Sequence, residues 1–206
     1  MATPIGHALI GGICYFTGNR SHTVDVPVLL VYILFANAPD LDFLPGILVG
    51  NPGAFHHGIS HSLGFGALFA GVVATILTMT WQRFASYGLL KLALVGFLLY
   101  VSHLAVDFVT LDNSIPYGMP LFWPFSNDYV HAPIYIIPNV LHSSDVFSLH
   151  NVNVAFKELA IFGVPLLYLM TMNWWMSRRA RIIGTALVTL VTGTALATFI
   201  QVNPYF

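Results

Sequence analysis

The stretch Ser62–Trp81, SLGFGALFAGVVATILTMTW, carries no charged residue and reaches the length a bilayer crossing needs, roughly 20 residues. Directly before it stand Phe55-His56-His57-Gly58-Ile59-Ser60-His61, with three of the chain's nine histidines packed together. An apolar helix opened by a knot of imidazoles poses the two questions the rest of the chain answers. One is what solvent the fold lives in, and the other is what the histidines hold.

Composition settles the first. Of 206 residues, 57% are hydrophobic and only 7% charged, and mean hydropathy is +0.78. A soluble domain is about 25% charged, so the chain reads as an integral membrane protein. The net charge of −1 excludes a nucleic-acid surface. With Cys14 as the single cysteine there is no internal disulfide and no thiolate metal cluster. The first apolar stretch lacks a basic leader and carries His7, unlike a cleaved signal.

Working outward from Ser62–Trp81, three more spans are expected at Leu92–Val106, Leu159–Met176 and Ile182–Val202. Two shorter ones, Pro4–Gly18 and Val26–Pro39, precede them. The expectation is an all-α polytopic membrane helical bundle with about six transmembrane helices, forming a single domain over residues 1–206. Gly64, Gly66 and Gly71 read as helix-packing positions. The long connection 109–156 holds Pro116, Pro120, Pro124, Pro133 and Pro138 with His131, His142 and His150. It reads as an ordered outer cap with a short surface helix near Val152–Leu159. Trp174-Trp175 and the ending Asn203-Pro204-Tyr205-Phe206 read as interfacial aromatics.

Basic residues orient the chain. Arg20, Arg83, Lys91, Arg178, Arg179 and Arg181 fall in alternate connections, while Lys157 sits beside Glu158 at the start of span five. The positive-inside rule places those six in the cytoplasm and both termini outside. His22, beside Arg20, then reads as a cytoplasmic loop residue. His7, Asp40-Leu41-Asp42, His56 to His61, and His103 with Asp107 all come out at the opposite, outer face. Topology derived from Arg and Lys alone thus gathers the polar residues of four segments.

Those residue types suit a cation. His103 and Asp107, like His57 and His61, are four apart and share a helix face. Asp40 and Asp42 straddle a turn after Pro39, where an extended Asp-x-Asp offers both carboxylates to one side or bridges two metals. Imidazole with carboxylate and no thiolate favours Zn²⁺, then Mn²⁺ or Fe²⁺. Helix C-termini at Asp40, Asp42, His103 and Asp107 add negative potential for a cation. The helix N-terminus after His61 favours an anion such as phosphate. His131, His142 and His150 read as cap residues, and Ser60 as a helix-start hydroxyl.

Gly6-His7, Ala38-Pro39-Asp40-Leu41-Asp42, His56-His57-Gly58-Ile59-Ser60-His61-Ser62 and His103-Leu104-Ala105-Val106-Asp107 resemble the membrane-bound metal-dependent hydrolases of the YdjM type. These are also described as LexA-binding, inner-membrane-associated hydrolases. Tyr117-Gly118-Met119-Pro120-Leu121-Phe122-Trp123-Pro124-Phe125-Ser126 resembles that family's Gly-x-x-Leu-x-Trp-Pro-Phe-Ser stretch. The likeness covers about the first 126 residues. The family's central motif usually reads His-Arg-Gly-x-Thr-His-Ser, so His57 stands where an arginine is expected and Ser60 where a threonine is. Spacing pairs His57 with His61; the resemblance pairs His56 with His61. It implies His7, Asp40, Asp42, His56, His61, His103 and Asp107 as metal ligands, with His57 as a neighbour or an extra ligand. The family is also similar to the zinc-dependent phospholipases C, whose His-x-x-x-Asp element His103 and Asp107 match. That implies phosphoester hydrolysis with two or three Zn²⁺ ions.

The function expected from the sequence is a metal-dependent hydrolase of the prokaryotic inner membrane. Its site would face outward, and its substrate would be a phosphate-bearing membrane lipid attacked by metal-activated water. Asp40 or Asp42 would orient that water, His57 would assist, and the cap would receive the lipid's acyl or prenyl part. Two other readings use the same cluster, as the transit site of a metal or proton-coupled transporter or as a structural metal site in a non-catalytic membrane partner.

Overall fold

The computed structural model describes residues 2–19, 23–51, 53–112, 116–140, 148–175, 177–198 and 200–202. Helices α1 (Pro4–Gly18) and α2 (Val26–Asn37) are followed by a 3-10 turn, Ala38–Asp42, and by α3 (Phe43–Leu48). A second 3-10 turn, Ile59–His61, leads into α4 (Leu63–Thr80). Next come the short α5 (Gln82–Ala85) and α6 (Leu89–Phe108). Then α7 (Leu149–Glu158) runs through a π turn (Leu159–Gly163) into α8 (Val164–Trp175), followed by α9 (Arg178–Ala197). The strand pairing among the described residues is an antiparallel couple, β1 (Ile134–Tyr135) with β2 (Gln201–Val202). The fold is all-α and membrane-spanning.

Among the described residues, five helical runs are long and apolar enough to cross a bilayer: Val26–Leu48, Leu63–Thr80, Leu89–Phe108, Leu149–Met172 and Arg178–Ala197. The expected count of six loses Pro4–Gly18, whose 15 residues rise only about 22 Å against a hydrocarbon core of about 30 Å. Span two does not close at Pro39 but continues through the 3-10 turn to Leu48. Asp40 and Asp42 therefore sit in a helical turn, not in an extended Asp-x-Asp. The expected short helix near Val152–Leu159 is present as α7, and it runs on into the candidate span Leu149–Met172. Span six starts at Arg178 and ends at Ala197, and Arg178, Arg179 and Arg181 belong to the helix itself. Arg20, His22, His142 and Asn203–Phe206 lie outside the described residues, as do the side chains of Trp174 and Trp175.

The chain divides into two units, with the boundary inside α2 between Leu34 and Phe35. The first comprises Met1–Leu34, Val109–Asp112 and Ala132–Phe206. In it a Cβ on Gly11 would lie 3.0 Å from the Tyr32 carbonyl oxygen, so α1 and α2 touch backbone to backbone there. His7 is fully buried on α1. Glu158, also fully buried, accepts hydrogen bonds from the Thr3 backbone N–H at 2.7 Å and from the Thr3 hydroxyl. The same hydroxyl accepts from Gly6 N–H and caps α1. The carboxylate thus docks the start of α1 on the end of α7.

The second unit, Phe35–Phe108 with Asn113–His131, is organised by α4 against α6. On α6, Leu90, Leu94 and Leu98 are exposed, while Leu92, Gly96, Leu99, Tyr100, His103, Leu104 and Asp107 are buried. That helical period gives one lipid face and one packed face carrying the polar residues. A Cβ at Gly66 would fall 2.6 Å from the Tyr100 ring, and one at Gly96 would fall 2.6 Å from the Phe35 ring. Gly64 lies against the Trp123 carbonyl, whereas nothing lies within 4 Å of a Cβ at Gly71. The helix-packing expectation fits Gly66, against Tyr100 of α6; Gly64 instead meets the backbone of a turn, and Gly71 meets nothing. The segment 116–131 folds back onto α4, where Leu63 N–H donates to Leu121 O at 2.9 Å and Met119 exchanges backbone hydrogen bonds with Val130. Met119 completes a core with Ala38, Tyr100 and Leu104.

Because a ring cannot yield as a flexible chain end does, Gly66→Ala is expected to destabilise the protein by about 1–3 kcal/mol. A lowered melting temperature of the purified protein in detergent, against an unchanged value for Gly71→Ala, checks this.

Candidate metal centre

All the expected site residues except His7 belong to the second unit. His7 lies on α1 in the first. Three short elements place them. The 3-10 turn Ala38–Asp42 carries Asp40 and Asp42, the loop and 3-10 turn before α4 carry His56, His57 and His61, and the last turns of α6 carry His103 and Asp107. Their side chains are buried or nearly so, with His61 and His103 wholly enclosed.

The centre of the cluster is a set of four atoms. His61 Nε2 lies 3.7 Å from Asp40 Oδ1 and 3.6 Å from Asp107 Oδ2. His103 Nε2 lies 3.4 Å from Asp40 Oδ1 and 3.2 Å from Asp107 Oδ2. A charge-assisted N–H···O bond is shorter, about 2.7–2.9 Å. Ligands about 2.0–2.1 Å from a tetrahedral cation stand roughly 3.3–3.4 Å apart, and the four distances bracket that edge. Among the described residues neither Asp40 oxygen, nor His61 Nε2, has a hydrogen-bond partner, though all are buried. Asp40, His61, His103 and Asp107 form one group able to hold a metal ion. The donor set fits a divalent cation.

Surrounding contacts fix which nitrogens face that point. His103 Nδ1 lies 2.8 Å from Ala36 O. A carbonyl only accepts, so Nδ1 carries the proton and Nε2 keeps the lone pair in the neutral ring. His61 Nδ1 lies 3.1 Å from Asp42 Oδ2, which leaves Nε2 toward Asp40 and Asp107. Asp42 Oδ2 also accepts from the Ser60 hydroxyl at 2.9 Å, and Oδ1 lies 3.4 Å from His56 Nδ1. Asp42 therefore acts here as the carboxylate that orients His61 and His56.

Two further groups share these residues: His56, His57 and His61, and Asp40, Asp42 and His56. Both histidine pairings raised by the sequence lie within one cluster, since His61 lies close to both neighbours. Its ring centroid is 4.9 Å from those of His56 and His57. His57 Nε2 is 4.0 Å from Asp107 Oδ2. His57 adopts φ 59°, the left-handed region that non-glycine residues seldom occupy. That backbone turn brings two adjacent histidine rings together, with centroids 4.1 Å apart and planes tilted by 39°.

Sequence reasoning missed two contributors. Ser60 is not the helix-start hydroxyl; Ser62 is, accepting from Phe65 N–H at 3.2 Å. Ser60 instead belongs to the Asp42–His61 contact, and a polar residue beside a histidine of the motif was the signal for it. Tyr100, one turn before His103, donates its hydroxyl to the Ser60 carbonyl. Its spacing of three from His103 puts it on the same face of α6. Of the cap histidines, His150 Nε2 lies 2.9 Å from Asn139 O, outside this cluster.

The sequence model of the YdjM inner membrane protein family matches residues 1–202. The chain belongs to that family. No curated protein and no solved structure matches it. Membership in YdjM and five apolar helices fit a multi-pass protein of the inner membrane. The YdjM match also extends the resemblance from the first 126 residues across the last two spans.

Burial of His61 disfavours its charge, but the carboxylates of Asp107, Asp40 and Asp42 outweigh that and hold its pKa well above the usual histidine value. Burial pushes His56 down to about 4 against the opposing Asp42 contact, with the charges of His57 and His61 adding to the fall. His56 is thus neutral at pH 7, while His61 must lose a proton to bind a metal. Metal affinity is expected to rise with pH, about tenfold per unit for one displaced proton. Titrations of the metal-stripped protein with Zn²⁺ between pH 6 and 8 test this. His61→Ala and Asp107→Ala should abolish Zn²⁺ binding in the same titration.

Proposed function

We propose that this protein is a metal-dependent hydrolase that cleaves a phosphoester of a membrane lipid. The observation that carries the reading is the convergence of His61 Nε2, His103 Nε2, Asp40 Oδ1 and Asp107 Oδ2, at 3.2–3.7 Å between imidazole and carboxylate, on one buried point inside a membrane protein. Intramembrane carboxylates and imidazoles are costly, and gathering seven of them for packing alone would be a poor use of stability. A divalent cation there would supply charge to stabilise a phosphoryl group and would make water acidic enough to attack at neutral pH.

The chain's own residues would do the rest. Asp40, His61, His103 and Asp107 would hold the cation, with Zn²⁺ preferred by an all-N/O set of this size and Mn²⁺ or Fe²⁺ as alternatives. The overlapping groups around His56 and Asp42 would admit a second ion. Asp42, tied to His56, His61 and Ser60, would keep both imidazoles in register and take up or release a proton through them. His57, near Asp107 at the edge of the cluster, would contact the phosphate in the place of the family arginine, as a weaker donor without that residue's bidentate fork. The His103-x-x-x-Asp107 spacing, read from the sequence as similar to that of zinc-dependent phospholipases C, is what suggests phosphoester chemistry.

Incubating purified, Zn²⁺-loaded protein with a panel of phospholipids and isoprenoid phosphates should release phosphate or a phosphorylated headgroup. Asp42→Asn is expected to cut the rate about 10–100-fold. If metal-loaded protein cleaves none of these lipids but carries Zn²⁺ into liposomes, a transporter replaces the hydrolase.

The placement of the basic residues supports a site on the extracytoplasmic side. Gly53, exposed in the loop before His56 with open space at its Cβ, serves as a reporter. In a Cys14→Ala background, Gly53→Cys should react with a membrane-impermeant maleimide in intact spheroplasts. Reaction only after permeabilisation would invert the orientation.

A further inference from the structure

Beside the metal-ligand cluster, and within the same unit, runs a groove of about 340 Å³. Its walls are apolar: Leu41 and Pro45 from the turn and α3, Phe55 and Ile59 from the histidine loop, and Phe65 and Phe69 from α4. Only Asp42 and Ser60 bring polar side chains to it, and these two are hydrogen-bonded to each other within the cluster. Leu41, Phe55 and Ile59 are 42%, 49% and 51% exposed, so the groove opens sideways and is not sealed in the core. Next to it on α3, Leu44, Ile47 and Leu48 are also exposed, at 57%, 57% and 86%, as a surface meeting hydrocarbon would be.

We infer that this groove binds the hydrocarbon chain of the membrane lipid whose phosphate reaches the His/Asp cluster. The inference rests on the phosphoesterase reading for the position of the phosphate. It replaces the 109–156 segment with the groove as the seat of the lipid's apolar part. Two features argue for this occupant. First, the groove is continuous at Asp42 and Ser60 with the cluster, so a molecule filling both must be charged at one end and apolar along the other. Second, the opening is flanked by exposed Leu41, Leu44, Ile47 and Leu48 on the apolar run Val26–Leu48 and by Phe55 and Ile59 of the adjoining loop, so a chain can enter from the bilayer without passing through water. A soluble phosphoester would gain nothing from a wall of six apolar side chains. The size is that of a small-molecule pocket, enough for the proximal part of one chain while its remainder stays in the bilayer.

Photo-crosslinking tests this without requiring turnover. Full-length, Zn²⁺-loaded protein in phosphatidylcholine nanodiscs would be irradiated with phosphatidic acid bearing a diazirine in one acyl chain, and adducts mapped by mass spectrometry. Adducts should concentrate on Leu41–Pro45 and Phe55–Phe69. Excess unlabelled phosphatidic acid should suppress them, and diacylglycerol should not. Ile59→Trp, which fills the mouth, should lower labelling about tenfold while metal content stays at the wild-type level. Adducts spread equally over Leu90, Leu94 and Leu98, or labelling untouched by phosphatidic acid or by Ile59→Trp, would overturn the inference. The two readings fail separately. Lipid cleavage with scattered adducts removes the groove and spares the hydrolase. Phosphate-dependent groove adducts without cleavage support the groove and remove the hydrolase.

Discussion

His61 is the residue whose surroundings constrain everything else. It is fully buried, and both its ring nitrogens face carboxylates: Asp42 on one side, Asp40 and Asp107 on the other. Three buried acids around one imidazole repel one another and are each costly in an apolar medium. Such an arrangement persists only if positive charge sits among them, from a protonated histidine or from a cation. A proton on His61 balances one acid; a divalent ion held through Nε2 balances two and lets the ring be neutral. The rise of His61's pKa and the cluster's fitness for a metal are therefore one electrostatic fact seen in two states.

The apolar scaffold exists at a tolerance that this arrangement demands. His61 sits on the turn that leads into α4, and His103 and Asp107 sit on α6; the approach of those two helices is set by Gly66 against Tyr100. Tyr100 in turn grips the carbonyl of Ser60, so one side chain fixes the interhelix spacing and pins the histidine loop. Ala36 O aims His103, and Asp42 aims His61 and His56. A membrane gives no hydrophobic drive to hold helices together, so close contact of small residues must do it.

Much of this was legible in the chain. The membrane class followed from charge content, and the cluster from residue types converging at one end of several spans. Element ends were less legible. Pro39 looked like a stop because proline breaks a helix interior, yet it sits at the start of a 3-10 turn, where its missing N–H costs nothing. The apolar run Phe43–Leu48 beyond the aspartates was the sign that the helix resumes. Pro4–Gly18 has the right composition for a span but too little length. Glycine spacing marked a packing face on α4, yet only tertiary contacts separate Gly66, pressed on a ring, from Gly71, which meets nothing. Ser60 and Tyr100 could not be ranked from sequence because their roles come from a backbone carbonyl and a carboxylate far along the chain.

The π turn at Leu159–Gly163 has a bearing on how this chain can change over time. Such a turn accommodates one residue more than an α-helix would, which rotates α7 by roughly 100° relative to α8. Glu158 sits at that junction, and its inward aim at Thr3 depends on the rotation. Loss of one residue there would leave an unbroken, equally apolar helix, so hydropathy would register nothing. It would nevertheless swing a carboxylate toward the lipid and release the start of α1. Length in this segment is therefore held more tightly than residue identity: substitutions that keep it greasy are tolerable, whereas an insertion or deletion of one is not.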